Sequence, residues 1–156
     1  MGTFFSTFQV KSNQPRPKFE KGFTDYMKSI GLVPVKAEDA GFSVILAFSE
    51  NWVTVCPSYD AGYENEAQGL AKAMKTTCIN TSVFDSDCLY LYFYDAVTGR
   101  EDKVMAGWCE EYCDPEDGIN GEGNPHCWKP LLVEGATWEQ LTEVWSGDYV
   151  FIEEAL

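Results

Sequence analysis

Apolar residues recur along the chain with two periods, and the switches between them lay out the elements. Phe19, Phe23, Tyr26, Met27 and Ile30 fall at helical spacing after the breaker QPRPK, and Gly31 follows as a C-terminal cap, which predicts an amphipathic helix of about three turns. GFSVILAFS and NWVTVCP are rich in β-branched and aromatic residues and are separated by Glu50 and Asn51, so they predict a hairpin closed by Pro57. YENEAQGLAKAMKTT sets Ala67, Leu70, Ala71 and Met74 on one face, with acids in its first turn and Lys72 and Lys75 in its last. That polarity suits a helix dipole and predicts a second helix.

Three strand candidates follow, CINTSVFDSD, CLYLYFYD and EDKVMAGW, the last two joined by AVTGR, whose Gly99 marks a hairpin turn. Thr137 with Gln140 forms a capping box at the start of TWEQLTEVWSG, a third helix ending at Gly147, and DYVFIEEAL predicts a fourth, short helix. The order predicts an α+β fold: a single, mostly antiparallel sheet of about five strands with helices packed on it, and room for a parallel crossover between the second and third strands. Residues 1–156 read as one domain, with 1–17 an extended N-terminal arm, and no internal repeat or linker interrupts them.

Charge changes the functional picture more than length does. Eleven basic against 25 acidic residues give a formal charge of −14, so a phosphate backbone or an anionic membrane would be repelled, and a basic protein becomes the expected partner. The N-terminus lacks a basic segment followed by a long apolar run, which predicts neither signal peptide nor membrane span and hence a cytoplasmic protein. MGTFFS matches the N-myristoylation pattern, but that pattern is short and common. In a reducing compartment the six cysteines are most simply free thiols.

Candidate chemistry concentrates in WCEEYCDPEDGINGEGNPHCW, residues 108–128. Cys109, Cys113, His126 and Cys127 are four potential zinc donors, yet the first two are separated by three residues and the last two are adjacent, unlike the paired spacing of structural zinc sites. Asp114, Glu116, Asp117, Asn120 and Glu122 do not fit the calcium loop of an EF-hand. The stretch reads as a glycine-punctuated solvent loop, its ends anchored by Trp108 and Trp128. Asp85 and Asp87 are the alternative metal ligands, because carboxylates two apart on a strand share a face, and they would support a metal-assisted hydrolase or transferase; a turn explains Asp-Ser-Asp at least as well. His126 is the lone histidine, and no phosphate loop, dinucleotide fingerprint, nucleophile elbow or zinc-protease helix is present, so the sequence supports no enzyme and no cofactor. In YLYFYD, Tyr90, Tyr92 and Tyr94 alternate with Leu91 and Phe93; an exposed tyrosine face would make a protein-binding surface, and helices on both faces would bury it as core.

SVILAFSENWVTV, TTCINTSVFDSDCLYLYFYD and WKPLLVEGATWEQLTEVWSGDYVFIEEAL together resemble a family of small, acidic, uncharacterised bacterial proteins of the Clostridia type, from about Phe19 onward. Some members are similar in size, acidity and α+β order to immunity proteins that neutralise polymorphic toxins. The resemblance implies a bacterial cytosolic origin and carries over no catalytic residue. Together these readings lead to a non-enzymatic, immunity- or inhibitor-type module engaging a basic partner. The candidate binding residues are Tyr90, Tyr92 and Tyr94 with the loop acids Glu110, Glu111, Asp114, Glu116 and Asp117.

Overall fold

The computed structural model describes residues 4–58, 63–85, 88–107 and 122–145. Within them six strands form one antiparallel sheet, with four helices packed on it. In chain order these are β1 (Phe5–Lys11), α1 (Arg16–Ser29), β2 (Val44–Phe48), β3 (Trp52–Pro57), α2 (Tyr63–Met74), β4 (Thr77–Phe84), β5 (Cys88–Asp95), β6 (Arg100–Gly107), α3 (Pro125–Trp128) and α4 (Trp138–Trp145). The sheet order is β2-β3-β1-β4-β5-β6. The strand additional to the expected five is β1: the stretch read as an arm is extended, and it sits in the middle of the sheet, paired with both β3 and β4. Because β3 and β4 are each antiparallel to β1, they run parallel to one another, and α2 crosses over between them.

Strand alternation divides the side chains between two layers. Phe8, Val10, Val53, Val55, Cys78, Tyr90 and Tyr92 point to the face covered by α1 and α2, where they meet Phe19, Phe23, Tyr26, Met27, Ala67, Leu70 and Ala71. The two helices approach closely at Gly69, where a Cβ would stand 2.5 Å from the Tyr26 hydroxyl oxygen. Glycine costs a helix interior roughly 1 kcal/mol. Here it makes room for an aromatic ring that fills the interhelix space.

On the opposite face Val83, Leu89, Phe93, Val104 and Ala106 pack against Cys127, Trp128 and Trp145. Asp102 on β6 fixes this second layer: its Oδ2 accepts the Asn124 backbone N–H and the Trp128 indole N–H, both at 2.6 Å. Trp128, the expected anchor at the C-terminal end of the long loop, is thus buried and bonded to the sheet. Trp108, the expected anchor at the other end, lies outside the described residues, as does the DYVFIEEAL segment. The Thr137–Gln140 box at the start of α4 is reciprocal, each residue's backbone N–H meeting the other's side-chain oxygen at 2.9 and 3.2 Å.

One expectation is corrected. Cys56, Cys78 and Cys127 are free thiols, but Cys88, buried at the start of β5, is disulfide-bonded. Spacing alone cannot reveal such a pairing, because it depends on which segments the fold brings together. No helix of the described residues is long and apolar enough to cross a membrane.

Candidate functional site

The tyrosines of β5 are the first candidates to be placed. Tyr92 is fully buried and Tyr90 nearly so, and α2 lies across them. Glu64, Gln68 and Lys72, four residues apart on α2, form a polar stripe that meets the ring edges. The Tyr90 hydroxyl donates to Glu64, which also pairs with Lys103 at 2.9 Å. The Tyr92 hydroxyl accepts from the Gln68 amide at 2.6 Å and donates to Glu101 at 2.8 Å. Burial raises the Tyr92 pKa above the ordinary phenol value; the Gln68 bond opposes the rise and the Glu101 carboxylate adds to it. Lys72 sits 5.2 Å from the centre of the half-buried Tyr94 ring. The ladder thus works as a seam joining α2, β5 and β6.

A second polar group under the helices is also self-contained. Asn80 and Ser82 are fully buried. The Asn80 amide donates to the Ser6 hydroxyl (2.8 Å) and to the Thr7 carbonyl (3.2 Å), while Ser82 lies 3.0 Å from Ser6 and 3.1 Å from the Asn80 carbonyl oxygen. Asn80 to Ser6, Ser6 to Ser82 and Ser82 to Asn80 make a closed donor circuit that satisfies every group. Such a ring specifies the register of β1 on β4.

Of the alternative metal pair, Asp85 is exposed in a tight turn with φ +52°, and Asp87 lies outside the described residues. Among the described residues no group of three or more His, Cys, Asp or Glu side chains is placed to hold a metal. Glu110, Glu111, Asp114, Glu116 and Asp117 likewise lie outside the described residues. The backbone N–H of His126 donates to the Asn124 side chain, and its carbonyl accepts from Arg100 at 2.8 Å.

A concave feature lies elsewhere, at the β2 edge. Gly31, with φ +88°, ends α1 in a Schellman turn: its N–H bonds to the Lys28 carbonyl at 3.1 Å and the Leu32 N–H to the Met27 carbonyl at 2.9 Å. The chain then doubles back as LVPVKAEDAGFS before entering β2. Between this return segment and α1 opens a groove of about 650 Å³, floored by Phe23 and Met27 and walled by Val33, Val35, Phe42 and Val44. That volume falls in the range of ligand-binding clefts. Val33 is 68 % exposed and Val35 55 %, so apolar surface stands open to water at its mouth.

Beside the groove the sheet has a margin that is unpaired among the described residues. The Ser58 N–H bonds to the Ser43 carbonyl and the Ser49 N–H to the Trp52 carbonyl, each at 2.9 Å, bracketing the β2–β3 ladder. Alternation then makes Ile45–Cys56 and Ala47–Thr54 the hydrogen-bonded pairs. The N–H and C=O groups of Val44, Leu46 and Phe48 point outward, and no described strand pairs with them. All five residues of β2, VILAF, are apolar, and Ile45 is 65 % exposed. Two exposed carboxylates flank the strand, Asp39 at the groove wall and Glu50 in the β2–β3 turn; neither joins an ion pair among the described residues. The sequence reading missed this site. Its one advance signal is a strand without a charged residue between two acidic turns.

Comparison with known proteins adds nothing to this geometry: no family model, no curated protein and no solved structure matches the chain.

Proposed function

We propose that the protein is a non-enzymatic binding module, of the immunity or inhibitor type, that engages a basic protein partner. The observation that carries the reading is the wholly apolar β2 edge, unpaired among the described residues, beside an open apolar groove. Native proteins blunt free edges with lysine, proline or bulges, and β2 has none of these. The formal charge of −14 supplies long-range attraction toward a basic surface, which speeds encounter and selects the sign of the partner. The loop acids Glu110, Glu111, Asp114, Glu116 and Asp117 belong to that field. Tyr90 and Tyr92, bonded beneath α2, contribute by holding the scaffold rigid.

The test is capture from the native host's lysate at low and at high salt, with the bound proteins identified by mass spectrometry. A basic protein enriched reproducibly and released by salt is expected. No specific partner, or an acidic one held regardless of salt, would refute the reading.

A further inference from the structure

We infer that the partner of this module presents an extended segment that adds to the outer edge of β2 as a seventh strand, with an apolar side chain seated in the groove and basic residues at its ends. The inference rests on the binding-module reading and gives the partner's local chemistry.

The backbone sets the shape of the occupant. Val44, Leu46 and Phe48 offer outward N–H and C=O groups at every second residue, about 6.5–7 Å apart along a strand. Only another extended chain presents complementary groups at that repeat; a helix has already bonded its own. Side chains of an added strand alternate between the two faces of the sheet. Those on the helix side near Val44 enter the space between α1 and the return segment, where Phe23, Met27, Val33 and Phe42 offer apolar contact. Those on the other side meet the exposed Ile45 and Ala47.

Charge sets the flanks. Asp39 stands at the groove and Glu50 at the opposite end of β2, each exposed and without an ion pair among the described residues. A segment with an apolar centre and lysine or arginine at its ends places opposite charge against both. A second copy of this chain, bringing −14 of its own and the same two carboxylates to the same margin, is electrostatically the poorer occupant.

Selection from a displayed library of random nine-residue peptides on the immobilised full-length chain tests this. Peptides with alternating apolar residues in the centre, lysine or arginine at the ends and no central proline should be enriched. Their binding should fall about tenfold or more on Val33→Asp, which puts a charge at the groove mouth, and on Val44→Pro, which deletes one outward N–H at the strand start without touching the β2–β3 ladder. Val33 is exposed, so Val33→Asp keeps the test intact if Val44→Pro perturbs folding. Recovery of no peptides, of acidic or helical ones, or of peptides indifferent to both substitutions overturns the inference. So does a wild-type dimer in sedimentation that Val44→Pro dissolves, since β2 would then belong to a second copy. A basic partner captured from lysate equally by wild type and both variants overturns strand addition alone, whereas the absence of any specific partner overturns the binding-module reading itself.

Discussion

Replacing Asp102 by alanine probes the attachment of the second layer to the sheet. The carboxylate oxygen Oδ2 accepts two N–H donors at 2.6 Å, from the Asn124 backbone and the Trp128 indole. Trp128 is only 5 % exposed, its ring 5.5 Å from Phe93 and 5.3 Å from Trp145, so its N–H loses its partner at the margin of a packed layer once the carboxylate is gone. A hydrogen bond to a charged group contributes about 1.5–3 kcal/mol, and a stranded buried donor costs about 1–3 kcal/mol. The two bonds share one acceptor atom and are not additive, so Asp102→Ala should destabilise by about 3 kcal/mol. Asp102→Asn retains a neutral acceptor and should cost about 1 kcal/mol. The assay is urea unfolding followed by tryptophan fluorescence and far-ultraviolet circular dichroism, read as a shift in midpoint at constant slope. A double-mutant cycle with Trp128→Phe isolates the indole bond, because phenylalanine has no N–H to strand; a coupling of about 1 kcal/mol is expected. An Asp102→Ala variant within about 0.5 kcal/mol of wild type, or an additive cycle, would refute this account of the layer.

Four further outcomes follow from the same geometry. Tyr92→Phe should cost about 1 kcal/mol, since Gln68 and Glu101 reach water once its hydroxyl is gone, whereas Tyr92→Ala should cost about 3–5 kcal/mol through the cavity; chemical denaturation separates the two. Gly69→Ala should destabilise by about 1–3 kcal/mol by pressing a methyl group on the Tyr26 ring, despite the better helix propensity of alanine, and thermal unfolding would register it. Burial, with the Glu66 charge adding to it, pushes the Tyr26 pKa from 10.0 to about 12. The unfolded chain therefore ionises first, and the stability this tyrosine contributes, complete below pH 10, falls between pH 10 and 12; Tyr26→Phe should flatten that part of a stability–pH profile. Gly31→Ala should cost about 1–2 kcal/mol by forcing a Cβ into left-handed backbone, and should weaken binding in the groove that the Schellman turn shapes, which peptide titration would show.

Helices α1, α2 and α4 and the hairpins were legible because each has a strong period or a punctuating residue: Gly31 after α1, Gly99 between β5 and β6, Thr137 with Gln140 before α4; α3, a single turn of four residues, fell inside the stretch read as a loop. β1 escaped because only Phe8 and Val10 carry its core face; Ser6, on the same side, belongs to the polar ring with Asn80. The tyrosine alternation was legible, but which face is covered depends on where α2 lies. Glu64, Gln68 and Lys72 at four-residue spacing held that information, and it became readable only with the register of β5 against β6. The groove was the least legible feature. LVPVKAEDAGFS has neither helical nor strand period, and the apolar run VILAF looks the same in a central strand as at an edge. Position in the sheet, a tertiary property, is what makes the first a wall and the second the outermost of the described strands.

The central claim is most directly tested by amide hydrogen exchange at β2, resolved by nuclear magnetic resonance with and without a selected basic peptide. Free protein should exchange readily at Val44, Leu46 and Phe48 and slowly at Ile45 and Ala47, whose amides already bond to β3. Peptide at about ten times its dissociation constant should slow the three outward amides about tenfold and leave Ile45 and Ala47 unchanged. Binding that leaves Val44, Leu46 and Phe48 unprotected, or that protects the α2–β5 seam in their place, would contradict it.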